Sequence, residues 1–468
     1  MRLFGPPRAA AGWRQHLAVG LLAGLASASP WAQGGAAPLT LPEAYQAALR
    51  YDTQYLIATK ELEAARLNVP LARANLLPQV GLSASVSRVM GSREFGNSLN
   101  QSVRVPLDYE SPQVSLNLRT PLFNYESWSR LKQASSLAEA AEFMMTARHL
   151  DLVNRLTAAY LGVLVQYEVM LLSAEDLRSL QSQAEQARQR YTRGEGTIQE
   201  ATAGEAAAEL AKTRLARAED DLAIARQGLQ RITGLETVAL RAVPADFAGL
   251  TLPLPTLQAW FDHALQHNPV LRFRSLNVDA ARHGIERQRA GHLPRLDLVA
   301  GMSRAQNDSV STLNQTTQQR SIGVQLSVPL YSGGAVQAGI AQSVAERDRA
   351  EQELRAEREG LLLEVERLYR LAMQGRERLA AHMQALDAAG VAVRAAARAQ
   401  ETGLGTAAEF RSALARQAAA RRDLIQARYE YLNQRSQLLV VGGWPMGTVV
   451  DDMARVLSVD AMMKETQP

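Results

Sequence analysis

The 468-residue sequence contains no cysteine, few aromatic residues and little net charge. Without cysteine the chain has neither a disulfide framework nor a thiol nucleophile, and it cannot carry the lipid-modified cysteine of a lipoprotein. Aromatic residues make up 5%, which is low for a compact globular core and typical of chains rich in long helices. The formal net charge of +4 comes from arginines interleaved with glutamates, which argues against a nucleic-acid-binding surface.

The first 32 residues have the pattern of a secretory signal peptide. Arginines supply a positive region, a mostly apolar segment follows from His16 to Ala26, and small residues allow cleavage after Ala28 or Ala32. The alternative is an amphipathic start of the mature chain. No later window reaches ~20 uncharged apolar residues, so we expect no transmembrane helix. The chain would then be exported, and would stay soluble or enter a membrane by another route.

A stretch without proline, Val336 to Glu401, predicts one very long helix. Its apolar residues recur about every 3.5 positions, which is the seam of a coiled coil rather than the face of an ordinary surface helix. The seam consists of Leu354, Leu361, Val365, Leu368, Ala372, Leu379, Met383 and Leu386. At 1.5 Å per residue this helix would be roughly 100 Å long. A seam so narrow cannot stabilise a helix alone, so we expect neighbours of similar length.

A similar seam begins near Leu152, and both long helices end at a glycine-containing break. The breaks, 209 positions apart, read Arg193-Gly194-Glu195-Gly196-Thr197 and Thr402-Gly403-Leu404-Gly405-Thr406. Each predicts a reversal between two helices, with a positive φ at Gly194 and at Gly403. A duplication of this length is typical of an elongated repeat rather than of two or three ordinary domains.

The order of elements is the same in both halves of the chain. We divide the sequence into a signal peptide (1–32), a first repeat (33–248), a second repeat (249–445) and a C-terminal tail (446–468). Each repeat begins with a helix, Leu39 to Leu77 or Leu257 to Leu293, which a proline ends. Two strands, a long helix, a reversal and a shorter helix follow. The predicted fold class is therefore mainly α with a smaller β part.

Four segments alternate apolar and polar residues with a period of two, which predicts β-strands. They lie at about 77–89, 112–123, 293–304 and 321–331. Each is about ten residues long, the length that crosses a bilayer when tilted. Polar segments, Arg88 to Ser111 and Ser303 to Ser321, join the strands of each pair, and we expect them to be solvent loops. We expect these residues to point to lipid: Leu116, Leu298 and Leu326. We expect these to point to water: Ser115, Asp297 and Gln325.

Four strands cannot close a membrane barrel, because the smallest such barrels need about eight. An open sheet edge in lipid would leave backbone groups unpaired, so several chains would have to share one barrel. Aromatic residues that follow the second strand of each pair suit a membrane–water interface. They are Phe123, Tyr125, Trp128 and Tyr331. The alternative to a shared barrel is a soluble sheet buried between helices. The alternative for the aromatic residues is that their rings pack a strand against the following helix.

This arrangement resembles the TolC family of outer-membrane channel-tunnels, over Leu39 to about Gly443. The strings that carry the resemblance are GHLPRLDL (291–298), LSVPLYSGG (326–334), RYTRGEGT (190–197), ARYEYLNQRSQL (427–438) and LQRITGL (229–235). The resemblance implies a homotrimer that shares a twelve-stranded barrel in outer-membrane lipid. That barrel would continue into a long α-helical barrel across the periplasm of a Gram-negative bacterium.

The resemblance further implies an export duct whose helix reversals dock onto a periplasmic adaptor (membrane fusion) protein. The docking residues would be Gly194, Gly196, Thr197, Gly403, Gly405 and Thr406. The adaptor would connect the duct to an inner-membrane ABC or proton-driven transporter. The cargo would be a protein, exported by type I secretion, or small molecules in efflux. The missing lipidation cysteine favours a secretion-type or general-purpose channel over the lipid-anchored drug-efflux members.

The entrance residues are carried over from the same resemblance, position by position. The family's entrance has two aspartates, three apart, and these positions are Glu409 and Ser412, with Glu200 as the acidic position after the first reversal. Three copies of Glu409 around an axis would form a ring that favours cations. The alternative is an ordinary carboxylate near a helix N-terminus. The arginine and tyrosine of the family's latch are replaced by Gly405 and Gln400, so that latch is absent or rebuilt.

The sequence offers no catalytic motif: no phosphate-binding loop, nucleophile elbow or His-Glu-x-x-His is present. His263 and His267 lie four apart on a predicted helix, but no third metal ligand accompanies them, and Asn268-Pro269 indicates a helix end. We therefore expect no enzyme activity, cofactor or metal. The main alternative to an export duct is a soluble periplasmic coiled-coil scaffold or adhesin stalk.

Overall fold

The computed structural model describes residues 38–96, 101–236, 239–244, 246–307 and 315–462. Its helices are α1 (Leu41–Tyr51), α2 (Thr53–Ala74), α3 (Tyr125–Thr192), α4 (Ile198–Thr233), α5 (Leu257–His267), α6 (Pro269–Arg289), α7 (Ala335–Glu401), α8 (Ala407–Val441) and α9 (Met446–Val456). Its strands are β1 (Gln79–Gly96), β2 (Ser102–Phe123), β3 (Arg241–Ala242), β4 (Arg295–Asn307), β5 (Gln315–Ser327) and β6 (Ser458–Met462). The fold is mainly α with a smaller β part, as predicted.

The longest elements are α3 and α7, with 68 and 67 residues, or about 100 Å each. Helix α3 packs on α4, α7 packs on α8, and α3 also contacts α8. The predicted seam of α7 is buried in its middle and half-buried at its two ends. The buried members are Leu361, Val365, Leu368, Ala372 and Leu379. Contacts between long helices therefore stabilise the narrow seams.

The two repeats share contacts as well as element order. Tyr160 of α3 donates a hydrogen bond to the carbonyl of Leu39 (2.8 Å). Tyr369 of α7, 209 positions later, donates one to the carbonyl of Pro255 (3.2 Å). Each carbonyl lies two residues before the start of the first helix of its repeat, α1 or α5. In each repeat, the long helix thus holds the entry of the first helix in the same way.

The first helix of each repeat is broken in two. The break in the second repeat falls at the helix end that Asn268-Pro269 indicates, but the break in the first repeat is contrary to the prediction of one continuous helix. The breaks fall at Asp52 and Asn268, and the backbone of both residues is extended. The side chain of each accepts hydrogen bonds from amides in the first turn of the helix that follows. Such caps satisfy amides that the new helix leaves without partners. Asp52 also accepts two bonds from Arg155 of α3, at 2.8 and 3.0 Å. Burial alone would raise the pKa of Asp52, but the Arg155 bonds hold that pKa below its usual value.

The four main strands form one antiparallel sheet in the order β1-β2-β4-β5. The strands are longer than predicted: β1 and β2 have 18 and 22 residues and pair without interruption from Gln79–Arg119 to Gly96–Ser102. The expectation of solvent loops is therefore wrong for residues 88–96 and 102–111 and, in the second repeat, for residues 303–307 and 315–321. The alternation of apolar and polar residues continues through the segment of the first repeat, but charged residues conceal it.

The C-terminal segment folds back onto the repeats. Helix α9 places Val449, Val450, Met453 and Val456 in the main hydrophobic core, and β6 pairs with β3 in the connection between repeats. Arg435 of α8, only 4% exposed, donates to both carboxylate oxygens of Asp452 in α9 (2.8 and 3.0 Å). It also donates to the carbonyl of Thr251 (2.8 Å). This pair, the Arg435–Asp452 clamp, fixes α9 against α8.

One helix among the described residues, α3, is long and apolar enough to cross a membrane by length and composition. More than half (56%) of its apolar window is buried inside the protein. Residues of α3 in the main core include Leu152, Leu156, Tyr160, Val163 and Leu164. This burial is that of a core helix.

Candidate functional site

The sheet has one apolar face and one polar face in the half next to the helices. Paired residues lie on the same face, and the faces alternate along each strand. Across β1, β2 and β4, one face carries the row Leu82, Leu116 and Met302, which Arg320 ends on the edge strand β5. The opposite face carries the row Ser83, Ser115 and Ser303. The exposed members of the apolar face include Val80, Leu82, Val86, Leu116, Ile322, Val324 and Leu326. A single chain therefore leaves this face without cover.

Hydrogen bonds join side chains across the polar face. The hydroxyls of Ser83 and Ser115 are 2.7 Å apart, and Asn117 donates to Ser115 (3.3 Å). Arg119 of β2 donates twice to Asp297 of β4, at 3.1 and 2.5 Å. The Asp297 side chain is only 6% exposed, against 60% for Arg119. Asp297 thus lies on the polar face, but Arg119 covers it from water, which the sequence did not predict.

The aromatic residues that follow β2 and β5 lie where the sheet meets the helices. Phe123 and Trp128 are about half exposed, and Tyr331 is almost fully exposed. Tyr125 is half-buried, with its hydroxyl 3.5 Å from Glu286 of α6. Tyr125, the first residue of α3, therefore contacts another helix, while the other rings remain available to a membrane interface.

The first reversal joins α3 to α4 through residues 193–197. Gly194 has φ +75°, as predicted, and this left-handed conformation favours glycine. A Cβ on Gly196 would lie 3.2 Å from the Cβ of Arg190, so this position favours glycine because of space. Thr197 caps α4 by accepting a bond from the amide of Glu200 (3.2 Å). The two glycines and Thr197 shape the backbone of the reversal, while Arg193 and Glu195 form an exposed ion pair on it (3.9 Å).

The second reversal, between α7 and α8, has nearly the same geometry. Gly403 has φ +71°, also as predicted, and a Cβ on Gly405 would lie 2.9 Å from the Cβ of Ala399. Thr406 accepts a bond from the amide of Glu409 (3.2 Å), and the Glu409 carboxylate accepts one from the amide of Thr406 (2.8 Å). At the first reversal, Thr197 accepts a bond from the Glu200 amide, but the capping box is not completed by the Glu200 carboxylate. Glu409 therefore has a capping role that Glu200 lacks.

The entrance position where the family has its second aspartate holds an unexpected contact. Ser412 accepts a hydrogen bond from Arg416, one turn further along α8 (3.0 Å). Glu409, Ser412 and Arg416 are spaced by three and four residues, so they share one exposed face of α8. Sequence reasoning missed Arg416, although its spacing from Ser412 was a visible signal. Gln400, at one former latch position, lies in the last turn of α7.

The two histidines form a stack at the end of α5, beside the C-terminal end of α8. Their ring centroids are 4.2 Å apart, and the ring of His263 also stacks on Trp444 (4.9 Å). The Nδ1 atom of His263 is 2.9 Å from the carbonyl oxygen of Gly442. In the ranges described above, no group of three His, Cys, Asp or Glu side chains could hold a metal ion. The contacts of His263 are those of a packing residue.

Long paired helices that join a sheet with one exposed apolar face are the features of an outer-membrane channel with a periplasmic tunnel. The family model of the outer membrane efflux proteins matches residues 44–235 and 260–443, one match in each repeat. The chain belongs to this family, and its resemblance to the TolC family is confirmed. It is an export duct of the Gram-negative outer membrane that extends into the periplasm, and it is not an enzyme. The soluble-scaffold alternative is wrong.

Relatives and solved structures match nearly the whole chain. It is 30% identical over 421 residues to the proteases secretion protein PrtF of Dickeya chrysanthemi, covering 88% of this chain and 89% of the relative. It is 29% identical over 407 residues to the alkaline protease secretion protein AprF of Pseudomonas aeruginosa, covering 86% and 84%. The structure of the Campylobacter jejuni CmeC outer membrane channel shares its fold, with a TM-score of 0.75 at 15% identity over 90% of both chains. Proteins of this family work as trimers with an adaptor and an inner-membrane transporter.

Proposed function

We propose that three copies of the chain close their four-stranded sheets into one twelve-stranded barrel in outer-membrane lipid. The observation that carries this proposal is the combination of an exposed apolar face with two open sheet edges, β1 and β5. In lipid, unpaired backbone groups on those edges would cost several kcal/mol each. Pairing of β5 with β1 of the next copy removes both edges. The polar face, with its serines, Asn117 and the Arg119–Asp297 pair, then lines a wet lumen.

We propose that the two helix reversals form the docking end of the duct. Gly194, Gly196 and Thr197 build the first, and Gly403, Gly405 and Thr406 build the second, with nearly the same backbone. Between the two glycines, the first reversal carries the charged Glu195 and the second carries Leu404, which is 88% exposed. Two similar but chemically different tips suit an adaptor that contacts both. The transporter beyond it is of the ABC type, or is driven by protons.

We propose that the cargo is protein, exported by type I secretion. The two relatives described above are both named for protease secretion, and each is matched over more than four fifths of its length. In the half of the sheet next to the helices, the polar wall fits this cargo, because its serine and amide side chains keep that part of the lumen hydrated. Small-molecule efflux is the competing cargo class and is distinguished by the following experiment.

Gly403→Val, introduced into the host strain that carries this gene, should abolish export while trimers remain in the outer membrane. Valine resists the positive φ of Gly403, so the tip that meets the adaptor would be distorted. The measurement is mass spectrometry of proteins in the medium, in a deletion strain complemented with each variant. Wild type should restore a small set of secreted proteins that Gly403→Val does not restore.

Gly360→Val is the matched control, because Gly360 lies within α7, with open space around its Cβ position. This variant should export normally. Normal export by Gly403→Val would show that the adaptor docks elsewhere. An unchanged set of secreted proteins in the deletion strain, with increased sensitivity to toxic compounds, would assign the duct to small-molecule efflux instead.

Glu409→Gln should remove most of the cation selectivity of the channel in planar lipid bilayers. Three Glu409 carboxylates around one axis form a negative ring, and glutamine removes the charge while it can still cap α8. Because Arg416 lies beside Ser412, we expect weak block of the wild-type channel by trivalent cations. Ser412→Asp should strengthen that block. The measurements are reversal potentials in a salt gradient and block titrations.

Glu63→Gln, on exposed α2, is the control and should leave selectivity unchanged. An anion-selective wild-type channel, or one indifferent to Glu409→Gln, would mean that Glu409 serves only as the cap of α8.

A further inference from the structure

The outer part of the β1–β2 hairpin inverts the two faces of the sheet. The register between β1 and β2 runs from Gln79 to Gly96 without a shift, so the alternation of faces is unbroken. Up to Val86 and Pro112, the lipid-side face is apolar. Beyond them the same face carries Arg88, Glu110, Asp108, Glu94 and Arg104. The lumen side changes in the opposite sense and carries Val89, Tyr109, Leu107, Val105, Phe95 and Val103, with one charged residue, Arg93, opposite Val105.

Side-chain contacts confirm the inversion. Arg88 donates to both carboxylate oxygens of Asp108, at 2.8 and 3.0 Å, and Arg104 donates to the hydroxyl of Ser92 (3.0 Å). All four of these side chains are exposed to solvent. Charged pairs on the side that faces lipid further down cannot lie in lipid, so this part of the hairpin stands in water beyond the membrane.

Among the described residues, this part, which we call the arm (residues 87–96 and 102–112), is a ladder of two strands that no third strand joins. Strand β2 pairs with β4 only from Gln113 onward, and above that point the described part of the chain gives β2 no partner except β1. An isolated two-stranded ribbon is marginally stable in water and needs cover for its apolar face. At about 3.3 Å per residue the arm rises roughly 30 Å.

We propose that the three arms of a trimer lean together and pack their apolar faces against one another, forming a collar that narrows the outer end of the duct. This rests on the proposed trimeric barrel. The arm's apolar face continues the lumen side of the sheet, so in the trimer it faces the two other copies around the same axis. Lipid cannot provide the cover, because the face on the lipid side is the charged one. The collar is a contact between copies of this chain, and cargo must part it to leave.

Single cysteines test the collar directly, because the chain has no cysteine of its own. Leu107→Cys and Val105→Cys place thiols on the inner face of the arm, and Met90→Cys places one on its outer face. A disulfide requires Cα atoms within about 7 Å. After oxidation of purified trimers, the two inner variants should run as disulfide-linked dimers on non-reducing gels. The Met90→Cys control should stay monomeric.

A second measurement does not depend on disulfide geometry. Replacing Val105 and Leu107 together by serine should increase single-channel conductance severalfold, and Met90→Ser should not change it. Trimers that conduct normally, without inner-face crosslinks and without a conductance change in the serine variant, would overturn the collar and leave the duct intact. Crosslinks to an exported protein rather than between copies would also overturn it. Failure to form trimers or channels in the unmodified protein would instead contradict the proposed function.

Discussion

Leu116→Arg should nearly eliminate assembled trimers from the outer membrane. Leu116 lies on the exposed apolar face, in the middle of the apolar band of β2. Arginine at such a position costs about 2–4 kcal/mol near the bilayer midplane, and a trimer bears that cost three times. Leu326, in the row nearest the helices, lies closer to the interface, where the cost falls to about 0–1 kcal/mol. Leu326→Arg should therefore have a smaller effect.

Ser115→Arg and Gln325→Arg are the matched controls, because each changes the neighbouring residue on the polar face. Both should assemble at wild-type levels, since arginine in a wet lumen keeps its hydration. The measurement is the fraction of heat-modifiable trimer in detergent-extracted outer membranes. Equal losses from both faces, or from Leu116→Arg and Leu326→Arg alike, would contradict the assignment of the apolar face to lipid.

Asp452→Asn should destabilise the protein by about 3 kcal/mol or more, and should expose its C-terminal segment to protease. Arg435 is almost fully buried, and the Asp452 carboxylate, which accepts two of its hydrogen bonds, is its charged partner. Removing one member of a buried ion pair leaves the other charge uncompensated, which typically costs about 3–5 kcal/mol. Denaturant unfolding followed by circular dichroism measures the first effect, and limited proteolysis measures the second.

Glu366→Gln provides the comparison, because its partner Arg370 lies one turn away on the exposed surface of α7. Exposed pairs of this kind contribute about 0–1 kcal/mol, so this variant should unfold like the wild type. If the two substitutions had equal effects, the Arg435–Asp452 clamp would not stabilise α9.

The sequence predicted the elements whose signals are local. The seam of α7, the glycines at 194 and 403, and the alternation around Leu116 each report directly on helix, reversal or strand. The break at Asp52 was missed because its cap is reinforced by Arg155, about a hundred residues away in sequence. The outer part of β1 and β2 was missed because its pattern is inverted and charged, which is also typical of loops. Arg119 and Asp297 are 178 residues apart, so no local pattern in the sequence indicates that Arg119 covers Asp297.

The start of α8 shows the limit of carrying residues over from a family. Position matching gave Glu409 and Ser412, and both do lie on one face at the start of α8. It could not give the exchange of bonds between Glu409 and Thr406, or the contact of Arg416 with Ser412. Both depend on how side chains turn at this particular helix start. The local charge therefore differs from the one that the family pattern implies.

Helix α1 contacts α9, so the beginning and the end of the described chain share one core. Leu41 and Ala44 cannot reach their final surroundings until Val449 and Met453 have been synthesised and exported. Contacts between residues so far apart in sequence form late, because a long loop must close first. A chain still in transit across the inner membrane therefore cannot complete this core. Only molecules that have been exported through α9 can fold it.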